Sequence, residues 1–312
     1  DSFESGSGVI SNGWSYTGNT NPAYNSTDTR EGSNSHIRCS HGGGSLFWYY
    51  NEGRTLSPLY VTYWMRVRSS AGSNLGETDN YKLLQIRYSN PTTGLSYPEI
   101  TVLAKPSAMT NIAGEGPIYL TWASNNMIAK YWKLFDMDVW IRVEYYIVES
   151  SMNGADDGIV KMYIQYGEGH TFTKIIDEST ETNINGGTKH FQSVVFDAYA
   201  RTYGTFITND YDDIYIDNTQ ARVEIGNNSV WANCTHREIQ VPIAWSNNSI
   251  QFTVNKGSFN SGESAYVFVV DENGSTSTGY PIVFGESQEE AVAPIVDTVS
   301  PSPPSGVSVQ VQ

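Results

Sequence analysis

Cysteine is almost missing from this chain: Cys39 and Cys234 are the two present in 312 residues, too few for a thiolate zinc cluster or a disulfide scaffold. Two readings stay open, one disulfide closing a very long loop or two unrelated thiols; in the chain-entropy picture such a bridge stabilises by about 5 kcal/mol before strain. Positive charge is scarce as well. Lys and Arg number 18 against 33 Asp and Glu, a formal net charge of -15, which argues against a nucleic-acid partner. No apolar run approaches the roughly 18 residues of a membrane span, and no basic, apolar leader opens the chain. No window holds a 3.6-residue apolar stripe, and neither a phosphate-cradling glycine loop before a helix nor a nucleophile elbow occurs. Helical bundles and nucleotide enzymes are thereby disfavoured. The chain opens on Asp1 rather than Met, and its charge-poor, Tyr/Asn/Thr-rich composition suits an extracellular or cell-surface module.

What is abundant points to β structure. Aromatic residues make up 13% of the chain, with 21 Tyr and 8 Trp, and there are 28 Gly. Apolar residues alternate with period two over 46–50, 59–68, 81–88, 99–104, 118–123, 140–148, 159–165, 192–198 and 213–217. Turn signals such as Asn90-Pro91, Asn153-Gly154 and Asn185-Gly186-Gly187 separate them. The pattern predicts an all-β fold, a two-sheet antiparallel jelly-roll sandwich over residues 1–226. Further short strands over 239–243, 249–254, 264–271 and 280–284 predict a small immunoglobulin-like sandwich at 227–285. Residues 286–312 read as a linker rich in Pro301, Pro303 and Pro304 and then a strand-like tail, where Val307, Val309 and Val311 alternate with polar residues. A lone strand needs a partner, so the tail begins a further domain or adds to a sheet elsewhere, on a neighbouring molecule in the case of self-assembly.

Sorting strand residues by alternation isolates a polar set. Trp64, Arg66 and Arg68 oppose Tyr63, Met65 and Val67; Gln85 and Arg87 oppose Leu84 and Ile86; Trp140 and Arg142 oppose Ile141 and Val143; Lys161 and Tyr163 oppose Val160 and Met162. On adjacent strands these would form one face suited to a glycan. Aromatic rings stack on sugar C–H surfaces, and guanidinium or carboxamide forks take hydroxyls or a uronate carboxylate. The plain alternative is a solvated face whose arginine stems cover the tryptophans. A second set is acidic: Asp213 and Asp217 near the closing strand and Glu4 near the opening are candidate oxygen ligands for Ca²⁺, against the alternative of an acidic surface without an ion. His36 and His41 flank Cys39 before three glycines, a conceivable metal loop that reads more simply as a turn.

The segment Asp1-Ser2-Phe3-Glu4-Ser5-Gly6 followed by Trp14, with Asp212-Asp213-Ile214-Tyr215-Ile216-Asp217 near residue 226, resembles the opening and closing signature of concanavalin-like jelly rolls, a group that includes polysaccharide lyases and carbohydrate-binding modules. The resemblance implies a structural Ca²⁺ on Glu4 and Asp213. Pro242-Ile243-Ala244-Trp245-Ser246 with Ser249-Ile250 and Gly257 resembles the TIG-type immunoglobulin module. Alginate lyases of the jelly-roll architecture carry a Gln-Ile-His strand; here the comparable strand reads Gln85-Ile86-Arg87. The missing imidazole puts proton abstraction in doubt and leaves Tyr88, Tyr163 and His190 as residues able to take that proton. The sequence therefore predicts a non-catalytic, glycan-binding surface protein. Its alternatives are a filament subunit joined by tail-strand donation and a lyase acting on a uronate polysaccharide by β-elimination.

Overall fold

A computed structural model describes residues 14–17, 22–40, 45–49, 56–68, 81–87, 98–104, 115–122, 127–133, 138–152, 154–182, 190–200, 208–246 and 248–285. Among them the chain is nearly all β and antiparallel, with a single 3₁₀ turn at Trp231–Asn233. It divides into two units, the first made of Asp1–Thr29, Asn34–Gly167 and Thr173–Asn218, the second of Arg30–Ser33, Glu168–Phe172 and Thr219–Gln312.

The first unit is a two-sheet sandwich of the jelly-roll kind. One sheet contains β1 (Trp14–Thr17), β4 (Ser45–Tyr49), β6 (Tyr81–Arg87), β7 (Pro98–Ala104), β8 (Glu115–Trp122), β9 (Met127–Lys133) and β13 (Ser193–Ala200), in the order β1-β4-β13-β6-β7-β8-β9. The other contains β2 (Ala23–Asn25), β3 (His36–Ser40), β5 (Leu59–Arg68), β10 (Ile141–Val148), β11 (Gly158–Gln165), β12 (Thr173–Thr180) and β14 (Thr208–Asp217), in the order β12-β11-β10-β5-β14-β3-β2. The core between them is filled by the alternating apolar residues that the sequence marks. Tyr63 and Tyr211 from the second sheet pack edge-on to Phe196 of the first at 5.1 and 5.4 Å, and Tyr145 stacks on Tyr63. The one polar handle in this ring cluster that crosses between the sheets is used: the Tyr211 hydroxyl donates to the Leu83 carbonyl at 2.8 Å, as a buried tyrosine requires. Burial raises the Tyr63 and Tyr145 hydroxyl pKa values above the ordinary tyrosine range.

The second unit holds a four-stranded sheet, β16-β15-β19-β20, and a separate hairpin, β17-β18. The strands are β15 (Arg222–Gly226), β16 (Arg237–Gln240), β17 (Pro242–Trp245), β18 (Ile250–Phe252), β19 (Ser264–Val270) and β20 (Tyr280–Val283). Val223, Ile225, Val267, Val269, Ile250 and Phe252 share its core. The expected division at residue 226 is corrected to Asn218/Thr219. β15 pairs with β16 and with β19, not with the jelly roll.

Both cysteines are free and buried, which corrects the disulfide reading. Cys39 lies in the first unit's apolar core. Cys234 packs so closely on Gly226 that a Cβ there would stand 2.5 Å from its sulfur. Replacing Phe196 by Ala is expected to destabilise the first unit by about 3–5 kcal/mol, because the Trp14, Tyr63 and Tyr211 rings pack on it and leave a cavity that cannot readily collapse. Chemical denaturation monitored by tyrosine and tryptophan fluorescence checks this.

Candidate functional site

The polar face expected across β5, β10 and β11 exists. Cross-strand register aligns Trp64 with Arg142 and Gln165, Thr62 with Glu144 and Tyr163, and Tyr60 with Tyr146 and Lys161. On the other side of β5, Asp210 and Asp212 of β14 stand opposite Arg66 and Trp64. Trp64, Arg66, Arg142 and Lys161 with Tyr163 are therefore brought together, and Trp140 joins them with its ring 4.5 Å from the Arg66 guanidinium.

Burial changes what this face can do. Trp64, Arg66, Arg142 and Glu144 are each at most 4% exposed, so most of the set is an internal polar layer and not an open glycan platform. Several of its groups bond one another. Arg142 donates through Nε to the Thr62 hydroxyl at 3.2 Å and lies 3.6 Å from a Glu144 oxygen. Lys161 and Tyr163 remain half-buried at the margin, with the Lys161 ammonium 5.8 Å from the Tyr146 ring centre.

The centre of the layer is Asp210, whose side chain is fully buried. Arg38 donates to it from Nε at 2.6 Å and from Nη2 at 3.1 Å; Arg66 donates from Nη2 at 2.9 Å and Arg68 from Nε at 2.6 Å. The His36 ring lies 3.3 Å away and meets Trp140 edge-on. Burial alone would raise the Asp210 pKa. The hydrogen bonds from His36, Arg38 and Arg68 outweigh it and hold the carboxyl far below the usual carboxylate range. Asp28 completes the array from an exposed turn. It accepts from Arg68 at 2.6 Å and lies 3.2 Å from Arg66, and its own pKa is lowered chiefly by the Arg68 hydrogen bond. The array also corrects the histidine–cysteine metal reading, since His36 faces Asp210 and Cys39 the core, while His41 lies outside the described residues.

Gln85 and Arg87 are elsewhere. They lie on β6, in the other sheet, which corrects the expectation of a single face shared with Trp64 and Arg142. Consecutive strands β5 and β6 enter different sheets, so their polar faces are not continuous. On β6 the half-buried Arg87 donates to the Gln85 carbonyl oxygen from Nε at 3.2 Å and Nη2 at 2.8 Å. Register places Arg87 in a row with Tyr49, Ser193 and Pro98, and Gln85 in a row with Phe47, Val195, Thr101, Thr121 and Met127. Of the residues in these rows whose side chains are described, Gln85, Ser193 and Val195 are buried and Arg87 is half-buried.

Of the three residues able to take a proton, Tyr88 lies outside the described residues and Tyr163 belongs to the other sheet. His190 is 44% exposed and its Nδ1 is 2.7 Å from the Glu149 carboxylate, which is 8% exposed. Glu149 also accepts from the Phe191 N–H. With Nδ1–H donating to Glu149, the His190 Nε2 is the basic nitrogen. The sequence names His190 but offers nothing that pairs it with Glu149, 41 positions away.

The expected calcium ligands do not assemble among the described residues. Asp217 accepts from the Tyr215 hydroxyl and the Asn218 N–H, both at 2.7 Å. Asp213 stands at φ +45 beside the register shift that separates Asp212 from Tyr215. No three His, Cys, Asp or Glu groups converge there, and Glu4 lies outside the described residues.

No family model and no curated protein matches the sequence. Solved structures similar in fold include an alginate lyase in complex with alginate trisaccharide, at 13% identity over 58% of this chain and 80% of that one with a TM-score of 0.39. An alginate lyase from Chlorella virus matches at 9% identity over 66% and 93%, TM-score 0.42. Arcelin-5, a lectin-like defence protein from Phaseolus vulgaris, matches at 8% over 66% and 92%, TM-score 0.40.

Asp210→Asn leaves three guanidiniums converging without a central charge, and we expect a loss of about 3–5 kcal/mol. Because the folded pKa of Asp210 is depressed, its stabilisation is present above the unfolded carboxyl pKa near ~3.9 and is lost as pH falls below it. Denaturation midpoints measured from neutral to acid pH should drop steeply for the natural chain and less steeply for the variant.

Proposed function

We propose that this chain is an extracellular β-sandwich protein that binds a polysaccharide, without cleaving it, through Arg87 on β6. The observation that carries this reading is the Arg87–Gln85 pair. A planar, half-buried guanidinium is held in place by its neighbour's buried carboxamide on the central strand of a seven-stranded sheet. A guanidinium preorganised in this way takes a uronate carboxylate in two parallel hydrogen bonds. In the Gln-Ile-His pattern that Gln85-Ile86-Arg87 resembles, Arg87 stands where the histidine would be. An arginine neutralises a substrate carboxylate but cannot abstract a proton.

Arg87→Ala is expected to weaken binding to uronate oligosaccharides at least tenfold, about 1.4 kcal/mol, and Arg87→Lys to restore little of it, since an ammonium lacks the fork. Glycan-array binding followed by calorimetry measures both. Unchanged affinity in the Arg87→Ala protein would remove the proposal.

A second reading, a lyase cleaving uronate chains by β-elimination, is favoured by one arrangement, the His190–Glu149 couple with its exposed imidazole. It requires growth of ultraviolet absorbance from unsaturated ends on a uronate polymer and its abolition in His190→Ala. The binding reading expects no such product from either protein.

A further inference from the structure

Five Asn-X-Ser/Thr motifs begin at Asn25, Asn227, Asn233, Asn247 and Asn273, the acceptor pattern for an N-linked glycan where it lies on the surface of an exported chain. The fold separates them. At Asn25, the last residue of β2, the carboxamide oxygen accepts from the Thr27 N–H and from the Thr27 hydroxyl, both at 2.9 Å. Those bonds occupy both lone pairs of the oxygen, while neither hydrogen of Nδ2 has a partner among the described residues. Asn25 is half-buried and Ser26 and Thr27 are exposed. β2 is the outermost strand of its sheet among the described residues, paired with β3 alone, and Asn25 stands opposite His36. The other motifs are bound into the fold more tightly. Asn227 donates from Nδ2 to the Thr235 hydroxyl at 2.9 Å and accepts from the Thr235 and His236 N–H groups at 3.0 and 3.2 Å, so both ends of its carboxamide are taken. Thr235 is also the hydroxyl residue of the Asn233 motif, and Cys234 between them is buried. After Asn273 the Ser275 N–H donates to the Asp271 carboxylate at 2.8 Å, not to Asn273. Asn247 lies outside the described residues.

We infer that Asn25 carries an N-linked glycan in the exported protein and that Asn227 does not, an inference that rests on the extracellular reading above. The reaction joins Asn25 Nδ2 to the anomeric carbon of an oligosaccharide carried on a lipid diphosphate. The bond from that carbon to the diphosphate oxygen breaks, the lipid diphosphate leaves with the bonding pair, and one Nδ2 proton passes to a base of the transferase. Nothing is oxidised or reduced. At Asn25 the product costs no native hydrogen bond: the carbonyl oxygen keeps both contacts to Thr27, and the sugar replaces a hydrogen that bonds nothing among the described residues. At Asn227 the sugar would have to share a nitrogen already engaged with Thr235, in a carboxamide fixed by three bonds. A bulky, hydrated substituent at the end of β2 also stands on an outermost strand, the kind of edge that pairs with other chains unless something covers it.

The test places the full chain behind an export leader in a host whose transferase uses lipid-diphosphate oligosaccharides, isolates it from the medium and weighs its peptides by mass spectrometry. The Asn25 peptide should carry the host's glycan. Asn25→Gln and Thr27→Ala should each lose that one glycan from the intact mass, whereas Thr27→Ser should keep it because a hydroxyl remains in the motif. Ser229→Ala removes the Asn227 motif without touching the Asn227 carboxamide, and it should lose no glycan. Thr27 and Ser229 are exposed, so their replacement leaves the fold intact, which circular dichroism verifies. An exported chain with a bare Asn25, or a glycan lost in Ser229→Ala, would overturn the inference. Because the leader supplies export, a bare Asn25 counts against this site alone, and fractionation of the cells that make the protein naturally decides the extracellular reading separately.

Discussion

One buried carboxylate fixes the geometry of the second sheet of the jelly roll. Asp210 stands in register between Arg38 on β3 and Arg66 on β5, and a charge removed from water is tolerable only with partners at hydrogen-bonding distance. A shift of β14 by one residue would turn Asp210 into the aromatic core and Tyr211 out of it. The ion array and the ring cluster therefore enforce the same register from opposite faces of a single strand. The second unit repeats the device on Glu224. Arg222 donates to one of its oxygens at 3.1 Å and Arg237 to the other at 2.9 Å, with the Arg237 guanidinium held between the Phe172 and Trp231 rings at 4.0 and 3.9 Å. In a chain with only 18 basic residues, placing five arginines around two carboxylates leaves few for the surface.

Alternation made much of the architecture legible. It located nearly all of the long strands and assigned Trp64, Arg66 and Arg142 to one face, which register bears out. It could not say what covers that face, because a period of two separates the sides of a strand without identifying which is wet. That is why a buried ionic layer reads in sequence as a binding platform. Strand adjacency was equally out of reach: β6 lies between β13 and β7 rather than beside β5, and nothing local to Gln85 encodes this. β12 was overlooked because it is an edge strand in which Ile176 alone is fully buried, so one apolar residue had to carry the signal. β15 was credited to the wrong unit because Val223 and Ile225 continue the alternation of β14 after a short turn, and the period does not change where the sheet does.

The partition of chemistry follows from these constraints. Guanidiniums that complete a buried ion array cannot also turn towards a sugar, whereas Arg87, Lys161 and Tyr163 are half-buried. The His190–Glu149 couple obeys the same logic in reverse. Its carboxylate is tied down by a backbone N–H while its imidazole is open, which is the division of labour expected of a group that meets something from solution.

Sheets that align their strands with buried charge obtain register from hydrogen-bond geometry, and a mispaired strand then leaves a charge unpaired. The β17–β18 hairpin has no such array. Its register is irregular between Pro242 and Ala244, its outward residues are apolar, and Pro242 removes one main-chain donor from the strand. Its pairing is therefore less strongly specified by charge than that of the second sheet of the jelly roll.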